Sequence, residues 1–163
     1  MKRILLSGSL VVIWMIMIFI LSGMNSVESN SKSKVIVGKI ISEVSHKEND
    51  ISVMNEIDQN NLDNANYIFR KIAHATVYLI LSFFICNFLY QLKKRNIKNN
   101  YIISVFISLL YAITDEYHQT FIIGRNGNYQ DVLIDLMGAI IGSIIFYYVV
   151  RIIKNNNKTI LNG

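Results

Sequence analysis

Residues 101–153 read YIISVFISLLYAITDEYHQTFIIGRNGNYQDVLIDLMGAIIGSIIFYYVVRII, and this stretch decides the fold. It holds two apolar runs. One spans Tyr101 to Thr114 and continues to about Phe121; the other spans Val132 to Ile153. Between them lies Ile122 to Tyr129, where Gly124, Arg125, Asn126 and Gly127 mark a turn. Strands of a membrane barrel would be about ten residues long with strict alternation. These runs are near twenty residues and apolar on most sides, which predicts two helices long enough for about 30 Å of hydrocarbon.

Working outward, a further run covers Ile72 to Leu92 and is joined to Tyr101 by a short basic link, Lys93, Lys94, Arg95 and Lys98. The first run, Ile4 to Ser22, follows Lys2 and Arg3. A signal peptide shares that layout, but its apolar core is usually shorter and no Ala-x-Ala-like site follows here. The run is therefore read as a retained anchor, with cleavage near Ser22 and Gly23 as the alternative. Residues 23–69 are polar and rich in Ser, Asn and acids. Within them Val37, Ile40, Ile41 and Val44 recur at i, i+3, i+4 and i+7, the spacing of a short amphipathic helix suited to a membrane surface. Asn60 to Asn66 reads as a loop. The expected fold class is an all-α membrane protein of four transmembrane helices with a polar outer loop between helices 1 and 2. Its parts are residues 1–22 as helix 1, 23–69 as the loop, 70–153 as a three-helix core and 154–163 as a polar tail.

The 163-residue chain is 52% hydrophobic and carries a net charge of +5. That charge does not point to nucleic acid, because the basic residues flank apolar runs instead of forming a stripe on a polar domain. The chain has no proline, so no ring kinks a helix. The single cysteine, Cys86, excludes an internal disulfide and reads as a small apolar filler.

Orientation follows from the basic residues of short loops. Lys2 and Arg3, the 93–98 link, and Arg151, Lys154 and Lys158 fall on one side of a four-span arrangement. That side is expected to be cytoplasmic, with both termini there, in a multi-pass protein of the bacterial cytoplasmic membrane. The 23–69 and 122–129 loops then face outward. The acids agree, since none lies in a segment assigned to the cytoplasm.

This topology gathers scattered polar residues at the outer level. Helix 2 brings Arg70, Lys71 and His74, with Tyr78 continuing the face. Helix 3 brings Asp115, Glu116, His118 and Gln119. The turn brings Arg125, and helix 4 brings Asp131 and Asp135. Asp131, Asp135, Gly138 and Gly142 share one stripe, and the G-x-x-x-G pair Gly138 and Gly142 permits close helix packing. An ionisable cluster at membrane depth is a functional-site hypothesis by default. The bland reading is that these charges only lock the bundle, with Asp131 favourable at a helix N-terminus and Lys71 a snorkelling anchor. Asp115 is expected to need a cationic partner, with Arg125 favoured over Lys71. His74, Asp115, Glu116, His118 and Asp131 are possible metal ligands, but no H-E-x-x-H or comparable spacing appears. No metal and no other cofactor is therefore expected. No serine suits a Ser-His-Asp triad. Gly124 with Arg125 could hold a phosphate or carboxylate, because Arg offers a bidentate fork.

The chain resembles the VanZ-like family of small bacterial membrane proteins. The resemblance rests on Arg70-Lys71 with His74, Tyr111 with Asp115-Glu116 and Gln119, Phe121 with Gly124-Arg125, and Asp131 through Asp135 with Gly138 and Gly142. The family pattern is D-E-x-x-Q, a P-G-R turn, then D-x-x-x-N/D and small residues. It is met in order over about residues 70–145. Ile123 stands where proline is usual before Gly-Arg, and Ser22-Gly23-Met24-Asn25 lacks the S-x-Q pattern of many members. The resemblance implies a link to teicoplanin resistance, with which the founding member is associated, or to envelope homeostasis.

The resulting expectation is an envelope protein without demonstrated catalysis. It would bind an amphiphilic ligand between helices 2, 3 and 4 near the outer face, such as a lipid-linked cell-wall precursor or a lipidated glycopeptide. Arg125 and Lys71 would hold its anionic groups. The alternative is an intramembrane hydrolase or transferase acting on a lipid-linked substrate, with Glu116 or His118 as general base. A third possibility is a purely structural or assembly role.

Overall fold

The computed structural model describes residues 1–24, 30–31, 33–40, 59–93, 97–125 and 127–161. Four long helices dominate: α1 (Lys2–Ser22), α2 (Gln59–Lys93), α3 (Ile97–Gln119) and α4 (Tyr129–Leu161). Residues 33–40 form a further short helical stretch. The expected amphipathic helix is thus present in part. Val37 is buried and Ile40 half-exposed, while Ile41 and Val44 lie outside the described residues.

The side-chain pairings fix the helix directions. Along α2 and α4, Lys71 meets Asp131, His74 approaches Asp135, Phe83 packs on Phe146, and Tyr90 meets both Phe146 and Lys154. Both numbers rise together, so α2 and α4 are parallel. Against α3, Tyr78 reaches Asp115 and Cys86 reaches Ser104 and Asn100, so α3 runs the opposite way. On the other side α1 is antiparallel to α2, with Trp14 Nε1 donating to the Val77 carbonyl at 3.0 Å and Gly8 lying against Phe88. Tyr111 of α3 donates to the Met15 carbonyl at 2.6 Å. The result is an up-down-up-down bundle in which α2 touches all three other long helices.

Three of these helices are long and apolar enough to cross a membrane: Lys2–Ser22, Leu62–Leu92 and Tyr129–Asn156. Average hydropathy does not single out α3, because its polar residues lower the mean, although the helix turns most of them inward. Ser104, Ser108, Asp115, Glu116 and Gln119 are buried, whereas Ile102, Ile103, Phe106, Ile107, Leu110 and Ile113 are exposed. The other helices share this pattern in part, around an apolar cluster of Ile18, Tyr78, Leu81 and Ile85. Ser82, Ser104, Ser108 and Ser143 are fully buried, and large aliphatic side chains cover the outside. Ser104 Oγ lies 2.7 Å from Ser143 Oγ and 2.9 Å from Cys86 Sγ, so these three groups satisfy one another between helices. Cys86 is buried among them, a small filler that also makes a thiol contact.

The tightest approach is between α2 and α4. A Cβ built on Gly138 would overlap the Ala75 carbonyl oxygen, and one on Gly142 would overlap the Leu79 carbonyl oxygen and Ser82 Oγ. Backbone, not a flexible side chain, fills the space beside both glycines, Ala75 and Leu79 carbonyls included.

Two boundaries differ from the sequence reading. Residues 60–66 are helical, as the first turns of α2, despite their run of Asn and Asp. Partners from the preceding segment compensate their weak helix propensity. Lys34 Nζ pairs with Asp63 at 2.6 Å, and Asn66 Nδ2 donates to Asn30 Oδ1 at 3.4 Å. At the other end, α4 continues through Leu161, into the stretch read as a polar tail.

The turn between α3 and α4 matches its sequence signal. Arg125 N–H donates to the Ile122 carbonyl at 3.1 Å, and Gly124 has φ 75°. A four-residue turn with positive φ at its third position is type II, which favours proline at the second. That position is Ile123, which is 86% exposed.

Two substitutions test this architecture. Gly142→Ala should lower the thermal stability of detergent-solubilised protein by several degrees, and Gly142→Leu by more, because α4 must move off α2. Wild-type melting for Gly142→Leu would contradict the seam. Ile123→Pro should stabilise by about 0.4–1 kcal/mol by restricting the unfolded chain, read as an increase in Tm.

Candidate functional site

At the end of the bundle that carries the 120–128 turn, α2, α3 and α4 bring their polar residues together. α4 starts at Tyr129, so Asp131 lies in its first turn, and Asp135 follows one turn later on the same face. The close glycine seam below them holds that face against α2. Lys71 Nζ consequently donates to Asp131 Oδ1. His74 Nδ1 lies 3.5 Å from Asp135 Oδ1, an ion-pair distance too long for a good hydrogen bond. Asp135 is 0% exposed, and among the described residues neither of its carboxylate oxygens has a hydrogen-bond partner.

From α3, Asp115, Glu116 and Gln119 all point inward and are buried. The Gln119 amide links them. Its Nε2 donates to Glu116 Oε1 at 3.2 Å and, more weakly, to Asp115 Oδ2 at 3.4 Å. Tyr78 of α2 donates to the same Asp115 oxygen at 3.4 Å, while Asp115 Oδ1 has no hydrogen-bond partner among the described residues. The backbone N–H of Asn128 donates to Glu116 Oε2 at 2.9 Å, tying the turn to α3.

The basic residues are placed differently from expectation. Arg125 does not pair directly with Asp115. Its Nη1 donates to Gln119 Oε1 at 3.0 Å, and Gln119 in turn donates to the acids. Lys71 is committed to Asp131, and Arg70 Nη1 donates to Asn30 Oδ1 at 2.8 Å. His118 is separate from the cluster. It stacks on Phe19 of α1 with ring centroids 4.3 Å apart, because it points around α3 toward α1, about 60° from Asp115 and about 160° from Glu116.

Of the possible metal ligands, His74 and Glu116 do converge. Asp135 joins them in place of Asp115, His118 and Asp131, and the three offer ligand atoms within 4.8 Å of one another. Their spacing in sequence carries no metal-site signature, since each comes from a different helix. Asn128 was also beyond sequence reasoning, because it contributes through its backbone. Asn30, whose side chain holds Arg70, sits in a polar stretch with no distinguishing pattern.

Beside the cluster is a cavity of about 280 Å³. It opens between α1, α2 and the C-terminal end of α3, which is shifted from the expected place between helices 2, 3 and 4. Ile18, Leu21, Phe69, Ala73 and Val77 give it an apolar wall, and Arg70, His74, Tyr78, Asp115 and Arg125 give it a polar end. Burial and the nearby positive charge of Arg70 push the Arg125 guanidinium below its ordinary value, while Asp115 and Glu116 pull it back up. Two guanidinium groups thus line the polar end of an otherwise apolar cavity.

Double-substitution cycles separate the direct pair from the relayed one. The side chains of Lys71 and Asp131 are each about a fifth exposed. Their coupling should therefore fall below the cost of a fully buried pair, at about 1–2 kcal/mol. Lys71→Met alone should melt lower than Lys71→Met with Asp131→Asn. The corresponding cycle of Arg125→Met with Asp115→Asn should show clearly smaller coupling, because Gln119 stands between them. Equal coupling in both cycles would contradict the relay.

No curated protein and no solved structure matches the chain. A family model described as VanZ/LLP1 does, over residues 8–153, and so takes in most of α1, the whole polar cluster, the turn and most of α4. The ordered motifs from Arg70 to Gly142 and this match over most of the sequence agree, and the chain belongs to the VanZ/LLP1 family.

Proposed function

We propose that this protein is a four-span VanZ-type protein of the cell envelope that binds an amphiphile with an anionic head at the outer membrane face. The observation that carries this reading is the cavity whose wall is apolar and whose polar end holds Arg70 and Arg125. An acyl or prenyl chain suits Ile18, Leu21, Phe69 and Val77, and a phosphate or carboxylate suits the two guanidinium groups. A lipid-linked cell-wall precursor and a lipidated glycopeptide such as teicoplanin both have this chemistry.

The geometry supports four spans. α2 and α4 are parallel neighbours, so the chain must return between them, and α3 makes that return. Its 23 residues cover about 35 Å, enough for the hydrocarbon layer. Its exposed face is aliphatic and its polar face is buried. Basic residues near the 93–98 link and Arg151 and Lys154 favour that end as cytoplasmic, which puts both termini inside and the site outside.

The alternative, an intramembrane hydrolase or transferase, draws its support from Glu116, which sits with His74 and Asp135 beside the cavity. His118 is less suited to act as base there, given its stacking on Phe19.

Topology is tested in a Cys86→Ser background with an impermeant thiol reagent on intact cells. Gln130→Cys should label and Asn156→Cys should not; the reverse would remove the outer-face site. Function is tested in a deletion strain. The wild-type gene should restore tolerance to teicoplanin or to other envelope stress, and Arg70→Ala with Arg125→Ala should fail to do so at equal membrane abundance. Full rescue by that double variant would exclude the cavity as the working site.

A further inference from the structure

We propose that His74, Glu116 and Asp135 form a binding site for one divalent transition-metal ion of the zinc class. The residues come from α2, α3 and α4, and their ligand atoms lie within 4.8 Å of one another. A zinc ion with ligands at about 2.1 Å needs them about 3.4 Å apart, a contraction within the reach of side-chain torsions.

Three features beyond proximity point to a cation. Asp135 is fully buried, and both its oxygens lack hydrogen-bond partners among the described residues. A buried carboxylate left this way is costly unless something positive meets it. Among the described residues, no Lys or Arg forms an ion pair with Asp115, Glu116 or Asp135, and His74 is the nearest basic group to Asp135. Lys71 is held by Asp131, and Arg125 is held by Gln119. A divalent ion would cancel the two negative charges of its own carboxylate ligands with no change in the net charge of the remaining site.

Glu116 is also held as metal-bound carboxylates usually are. The Asn128 N–H fixes one of its oxygens and the Gln119 amide the other, which leaves further lone pairs for an ion. The ligand set selects the metal class. One imidazole with two carboxylates suits zinc or manganese, whereas magnesium and calcium prefer all-oxygen shells with more ligands. Three protein ligands leave a coordination position open. His74 also lines the cavity, so that position can face whatever occupies it. The metal site does not depend on the amphiphile reading, and either can fail without the other.

The test uses full-length, untagged protein purified in detergent without chelator, then loaded with Zn²⁺ or Mn²⁺ and desalted. Elemental analysis should find about one ion per chain. Saturating metal should raise Tm by at least about 4 °C, and a chelator should reverse the rise. Glu116→Gln and Asp135→Asn should each weaken metal uptake at least tenfold and abolish the Tm response, whereas His118→Ala should retain both. Metal-free Asp135→Asn should melt no lower than metal-free wild type, because the uncompensated carboxylate is gone; this keeps the result readable if the other variant folds poorly. Less than a tenth of an ion per chain after loading would overturn the proposal. So would an unchanged zinc response in both carboxylate variants, which would mean that the acids share protons instead of a metal.

Discussion

The contact on which the rest of the molecule depends is the parallel seam between α2 and α4. Gly138 and Gly142 lie directly on the Ala75 and Leu79 carbonyl oxygens, so the two backbones come closer than any side chain would permit. Once that register is fixed, the next turns toward the 120–128 loop follow from helical periodicity. Ala75 is adjacent to His74 and one turn from Lys71, while Gly138 is one turn from Asp135 and two from Asp131. The seam therefore delivers Lys71 to Asp131 and His74 to Asp135 without any further device. It also forces α3 into its place, since two parallel neighbours require a return helix.

In lipid, apolar burial gives no driving force for helix association, and the bundle is built accordingly. Its interior joins small and polar groups, such as Ser82, Ser104, Ser108, Ser143, Ala112 and Ala139, to a few large apolar ones, Ile18, Tyr78, Leu81 and Ile85. Most of its other aliphatic residues face outward. Aromatic donors reach across to backbone carbonyls of neighbouring helices, Trp14 to Val77 and Tyr111 to Met15. These bonds pin α1, which otherwise offers little polar surface. The same inversion explains why average hydropathy picks out three helices and passes over α3, whose polar residues are real but hidden.

Much of this arrangement was legible in the sequence, because it rests on periodicities of one helix at a time. The apolar runs, the Gly138 and Gly142 stripe, the turn at Gly124 and the convergence of Lys71, Asp115, Glu116 and Asp131 all follow from spacing and alternation of direction. Features that depend on two helices at once were not. The choice of Gln119 over Asp115 as the partner of Arg125, the stacking of His118 on Phe19, and the company of Asp135 with Glu116 and His74 depend on rotation angles between helices. The helical start of α2 at Gln59 was hidden for another reason. Its Asn-rich turns look like a loop by propensity, and only partners such as Lys34 and Asn30 override that preference.

Gln119 gives the site its division of labour. A primary amide accepts on one side and donates on the other. Here Oε1 takes Arg125, and Nε2 serves Glu116 and Asp115. A direct ion pair between Arg125 and either acid would cancel both charges and leave little for a ligand. With the amide between them, Arg125 stays beside Arg70 at the cavity and Glu116 stays in the helical interior, while Asp115 reaches the polar end of the cavity without pairing directly with Arg125. The turn makes this possible. Gly124 supplies the positive φ that aims Arg125 back toward α3, and this requirement is independent of the residue before it. Proline at position 123 would stiffen the same geometry, but glycine sets it, which is why the chain can carry Ile123 and still place the arginine.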